Sequence, residues 1–116
     1  MKPLLLMTAL LFFAGCASTP HDTLSTEPYR ISGKLPPAQY ARCLINNAEK
    51  ASGDFSGRED QPEQPDWRRV QIRHSSAGAA FIADIAPQGS GSDVTLWVSR
   101  NMIFGGALVD VITKSC

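Results

Sequence analysis

Three stretches in the second half of the chain alternate apolar and polar residues, and they lie close together. Residues 67–74 put Val70, Ile72 and His74 on one side and Arg69, Gln71 and Arg73 on the other. Residues 79–86 group Phe81, Ala83 and Ile85. Residues 94–99 group Val94, Leu96 and Val98, with Thr95 and Trp97 opposite. Side chains point to alternate faces of a strand, so this period of two marks three strands with one buried face. Ser75-Ser76-Ala77-Gly78 and the Gly-rich run 87–93 read as turns. Connections this short force consecutive strands to pair antiparallel. Such a sheet must bury its apolar face against another layer, and the flanking segments have to supply it.

Two segments suit that task. Leu35-Pro36-Pro37 reads as a helix entry, where proline is tolerated. Residues 38–50 follow with Tyr40, Cys43, Leu44 and Asn47 on one face and Ala48 and Ala51 extending it. Ser52-Gly53 ends this helix. Residues 107–114 read as a short closing helix with Leu108, Val111 and Ile112 on its apolar side. Met102-Ile103-Phe104 fits either an extension of the third strand or the start of a connection. The expected fold is therefore α+β. It has two layers, with a three-stranded antiparallel sheet and an N-terminal and a C-terminal helix in the order α-β-β-β-α. One sheet face is left partly open, with Ile82 and Trp97 on it. Residues 53–66, with Asp54, Glu59, Asp60, Glu63 and Asp66, read as a solvated polar loop. Their prolines and irregular spacing do not fit a calcium loop.

The first fifteen residues are of another kind. Lys2 precedes an uncharged apolar run from Leu4 to Ala14, and small residues follow. This is the layout of a secretory signal. A helix of roughly eleven residues, at about 1.5 Å each, covers only about half of a ~30 Å hydrocarbon core. Phe13-Ala14-Gly15-Cys16 resembles a bacterial lipobox, with Phe13 where leucine is commoner. In that family the cysteine thiol receives a diacylglyceryl group, a signal peptidase cleaves before it, and the new amino terminus is acylated. The resemblance implies lipidation of Cys16, a signal peptide over residues 1–15, and a membrane-bound mature protein facing the periplasm. Ala17 is not the aspartate that retains enterobacterial lipoproteins in the inner membrane, which favours the outer membrane. Residues 16–34, rich in Ser, Thr and Pro, read as the lipidated end and a flexible tether. Residues 35–116 are then the folded domain.

With Cys16 assigned to lipid by that resemblance, Cys43 and Cys116 remain, and an oxidising compartment lets them pair. The alternatives are buried free thiols, or a catalytic Cys43 with His74 as its base. Nothing else carries chemistry. Gly89-Ser90-Gly91 lacks the lysine and helix of a phosphate loop, and the histidines and cysteines have no zinc spacing. No cofactor or metal is expected. The chain has 11 basic and 11 acidic residues; loss of Lys2 with the signal leaves a net charge of −1. That balance argues against nucleic acid as a partner. At 43% hydrophobic and 19% charged, the composition is that of a globular protein, which excludes general disorder.

In lipobox, tether and one small two-cysteine domain, the chain resembles the small envelope lipoproteins of Gram-negative bacteria. The expected role is a lipid-anchored, non-catalytic interaction or accessory module with an envelope protein as partner. Arg69, Arg73, Trp97 and Arg100 are the candidate partner surface, with Arg68 a further member of a basic patch. Two other readings remain open. One is an immunity or exclusion lipoprotein that binds a toxin or phage component. The other is a small periplasmic enzyme using Cys43 and His74, which needs a free thiol.

Overall fold

The computed structural model describes residues 17–60 and 64–116. The signal segment, the lipobox and Cys16 lie outside the described residues. The elements are α1 (Pro20–Leu24), β1 (Tyr29–Gly33), α2 (Pro37–Ala51), β2 (Phe55–Asp60), β3 (Arg68–His74), β4 (Gly78–Gln88), β5 (Gly91–Val98) and α3 (Gly105–Ile112). All five strands form one antiparallel sheet in the order β1-β5-β4-β3-β2. The expected three-stranded sheet is thus the centre of a five-stranded one, and α-β-β-β-α gives way to α-β-α-β-β-β-β-α.

Both additional strands are edges, and both come from segments expected to be irregular. β1 lies within the expected tether and pairs with β5, Ile31 opposite Val94. β2 lies within the expected polar loop and pairs with β3, Phe55 opposite His74. Each edge carries a glycine that admits a side chain from α2. A Cβ on Gly33 would collide with the Tyr40 ring, and one on Gly57 would lie 2.8 Å from Ile45 Cγ1. The helix therefore supplies apolar matter that the edge strands lack. This is why neither edge shows the alternation that marks β3, β4 and β5.

The core lies between the sheet and the pair α2 and α3. Val70 and Ile72 (β3), Phe81, Ala83 and Ile85 (β4), and Val94 and Leu96 (β5) are buried against Tyr40, Ala41, Leu44 and Ala48 of α2. Val109, Ile112 and Cys116 complete it. Each fully buried large aliphatic or Phe side chain contributes about 1.5–3 kcal/mol relative to exposure. The expected inner faces of the three central strands hold. In α3 the buried face is Val109 and Ile112, whereas Val111, expected inside, is 48% exposed. Starting at Gly105 rather than at residue 107, α3 buries Gly105 itself against Val98.

The expected turn over 87–93 is shorter. Gln88 pairs with Gly91, so only Gly89 and Ser90 make the hairpin loop. Gly89 has the positive φ of 58° that a two-residue loop demands. A bulge where β3 meets β4 shifts the register between Ile72 and Arg73, so that Ala80 has no partner on β3. Met102-Ile103-Phe104 belongs to the connection between β5 and α3.

Candidate functional site

The sheet face away from α2 and α3 was expected to be partly open around Ile82 and Trp97, and its middle is closed. Two rows of side chains cross it. One runs Arg58, Gln71, Ile82, Trp97 over β2, β3, β4 and β5. The other runs Asp60, Arg69, Asp84, Thr95, Arg30 over all five strands. Ile82 is 2% exposed and Gln71 4%. Trp97 beside Ile82 is half-buried. Arg58 Nη2 donates to Gln71 Oε1 at 3.2 Å and lies over the row. Ile82 is therefore not part of an exposed patch.

The candidate surface residues separate. Arg69 donates from Nε and Nη2 to the two oxygens of Asp84 at 2.6 and 2.8 Å, a bidentate pair. It holds β3 to β4 and is not a cation held ready for a partner. Arg73 is exposed at the far end of β3, and Trp97 ends the first row on β5. Arg100 follows β5 and is exposed beside Ser18, Asp22 and Asn101 at the end of the sheet. Arg68 shares the parity of Val70 and lies toward the helix layer, 4.0 Å from Glu59. The expected basic patch is thus not one surface.

The end of the sheet that contains Arg100 is closed by the beginning of the described chain. Ser18 forms a parallel bridge with Gly78: its N–H donates to Ala77 O at 2.8 Å, and its carbonyl accepts from Ala79 N at 2.9 Å. The Ser18 hydroxyl is hydrogen-bonded to Ser99 Oγ and accepts from Asn101 Nδ2 at 2.8 Å. Ser99 Oγ in turn accepts from Asn101 N at 3.1 Å. The α1 turn follows at once. Thr19 caps it and holds the Asp22 carboxyl below its ordinary value through side-chain and backbone hydrogen bonds. Buried Thr23 donates to Ala79 O at 2.6 Å. A cavity of about 210 Å³ remains here, lined by Ala17, Ser18, Asp22, Ser25, Arg100 and Asn101. Sequence reasoning missed this cluster, since short polar residues 81 and 83 positions apart give no local signal.

The opposite end is held by the disulfide between Cys43 and Cys116, with a Cα–Cα distance of 5.8 Å. Asn47, one turn further along α2, donates from Nδ2 to Ile112 O at 2.9 Å and Lys114 O at 3.0 Å. It satisfies carbonyls left open at the end of α3. Cys116 O accepts from Lys34 N and Leu35 N at 3.0 and 2.9 Å, which ties this end to the β1–α2 connection.

His74 has a local role. Its Nδ1 accepts from the N–H groups of Ser76 and Ala77 at 3.2 and 3.3 Å and so shapes the β3–β4 turn. This assigns the neutral ring's proton to Nε2. The ring meets Phe55 edge-on at 5.2 Å. Cys43, spent in the disulfide, offers it no thiol to activate.

Among the described residues, no helix is long and apolar enough to cross a membrane, and no group of His, Cys, Asp and Glu has the geometry to hold a metal ion. Comparison with protein families, with curated proteins and with solved structures returns no match.

Proposed function

We propose that this chain is an envelope lipoprotein, anchored by lipid on Cys16, whose domain is a non-catalytic accessory module. The observation that carries the reading is the pairing of a lipobox-like Phe13-Ala14-Gly15-Cys16 with a disulfide that uses both other cysteines. A disulfide of this kind persists in an oxidising compartment, which is where such a signal would deliver the chain. One cysteine serves attachment and two serve stability, so no thiol is left over for catalysis. The outer sheet face around Trp97, between exposed Arg30 and Arg73, is the surface for an envelope protein with an acidic patch.

Intact mass of the protein from the membrane fraction tests the anchor, with and without reduction and alkylation. The expected mass begins at Cys16, carries acyl chains, and takes up alkylating agent at two cysteines only after reduction. A non-acylated mass would overturn the anchor. A photo-crosslinking residue at position 97 tests the module. A discrete adduct with one envelope protein is expected, and the absence of any adduct in intact cells would overturn that surface.

A further inference from the structure

The connection between β5 and α3 exposes two large apolar side chains in succession. Ile103 is 88% exposed and Phe104 75%. Two consecutive tight turns put them there: Met102 N donates to Ser99 O and Gly105 N to Met102 O, each at 3.1 Å. Ile103 and Phe104 are the central residues of the second turn and so form its tip. Neighbours on either side are tucked in, Met102 half-buried and Gly105 buried. Leaving both side chains in water forgoes the stabilisation that burial would bring.

Their position identifies an occupant. The same connection carries Asn101, which donates to Ser18, and Ser18 is two residues from Cys16. Two residues span at most about 7 Å, so a lipid attached there would be tied to the chain within about 7 Å of Ser18. Ile103 and Phe104 follow Asn101 by two and three residues. Chain length alone then keeps such an attachment point and the apolar tip within about 25 Å of each other. Exposed Arg100 in the same connection suits the headgroup layer, where a cationic head and an apolar neighbour are both accommodated.

We infer that Ile103 and Phe104 insert into the bilayer interface beside the lipidated cysteine, as a second contact that fixes the domain's orientation on the membrane. This rests on the lipid anchor proposed above. Because Ser18 is already hydrogen-bonded into the sheet, the domain has almost no tether. The tip reaches the acyl boundary, about 5–10 Å below the surface, as amphipathic interfacial segments do.

The test uses the full lipidated protein in phosphatidylcholine vesicles with brominated acyl chains. Phe104→Trp and Val111→Trp are compared with the parent, which holds Trp67 and Trp97. Val111 is an exposed apolar site at the other end of α3. The expected result is a blue-shifted added emission for Phe104→Trp that is largely lost in brominated vesicles, with neither change for Val111→Trp. Flotation with vesicles but no quenching at position 104 would overturn the tip contact and leave the anchor standing. Failure to float would remove both. A blue shift without lipid that follows protein concentration would replace the bilayer with a second copy of the chain.

Discussion

The two ends of the folded chain are fastened by different chemistry. The early end, at Ser18, is held by main-chain bonds to Ala77 and Ala79 and by the hydroxyls and amide of Ser18, Ser99 and Asn101. The late end, at Cys116, is held by a covalent bond to Cys43, by Asn47 and by Lys34 and Leu35. The first depends on a turn geometry that only certain residues permit. The second depends on the redox state of the surroundings. A reductant should therefore loosen one end and leave the other in place, and perturbing the turn should do the reverse.

Removing the disulfide is the largest break. Cys43→Ala with Cys116→Ala frees a span of 73 residues, worth about 4 kcal/mol on the chain-entropy account. Urea unfolding measures it; a loss below about 1 kcal/mol would mean that hydrogen bonds alone hold the late end. Gly78→Ala should come next, at about 2 kcal/mol. Gly78 has φ of 75°, and a Cβ there would press on the Ser18 carbonyl oxygen. Hydrogen exchange should then accelerate at Ser18 and Ala79 and stay unchanged at Cys116. Acceleration at both ends would erase the distinction.

Asn47→Ala should cost about 1–2 kcal/mol by leaving Ile112 and Lys114 carbonyls unpaired, and it should make the disulfide easier to reduce. Tyr40→Phe should be the smallest change and in the other direction. The Tyr40 hydroxyl is buried with no hydrogen-bond partner among the described residues, so its loss should raise stability by about 1 kcal/mol. Burial pushes this phenol from 10.0 up to about 12. Between those values the unfolded chain gives up the proton and the folded chain keeps it, so stability falls as pH rises. The effect is absent well below pH 10.0. Melting of the two proteins from about pH 9 to 12 should show a steeper decline for the parent than for the Tyr40→Phe variant; parallel curves would contradict it.

The contrast between the ends also marks what the sequence discloses. A cysteine pair is legible because few residues form covalent bonds. The central strands are legible because Val70, Ile72, Phe81, Ile85, Val94 and Leu96 all bury on one side. The edges are not. On the inward face β1 offers only Ile31 and a half-exposed Tyr29, and β2 only Phe55, because Gly33 and Gly57 yield their places to Tyr40 and Ile45 of α2. A strand completed by a distant helix has no period of its own. The rows on the outer face were hidden for a related reason. Arg69 reads as a surface charge until Asp84 is known to sit across from it.

The strand order has a consequence for biogenesis. β2 to β5 follow one another as a meander, each pairing with its neighbour in sequence, whereas β1 pairs only with β5. A chain emerging from its N-terminus presents β1 first, yet β1 has nothing to join until nearly everything else has appeared. Contacts of such long sequence separation form slowly, because the loop must close before it is rewarded. The N-terminal strand β1 is thus the last of the five to find its place. Pulse-labelled hydrogen exchange during refolding should show protection of β3 and β4 amides before those of β1, and simultaneous protection would rule this sequence out.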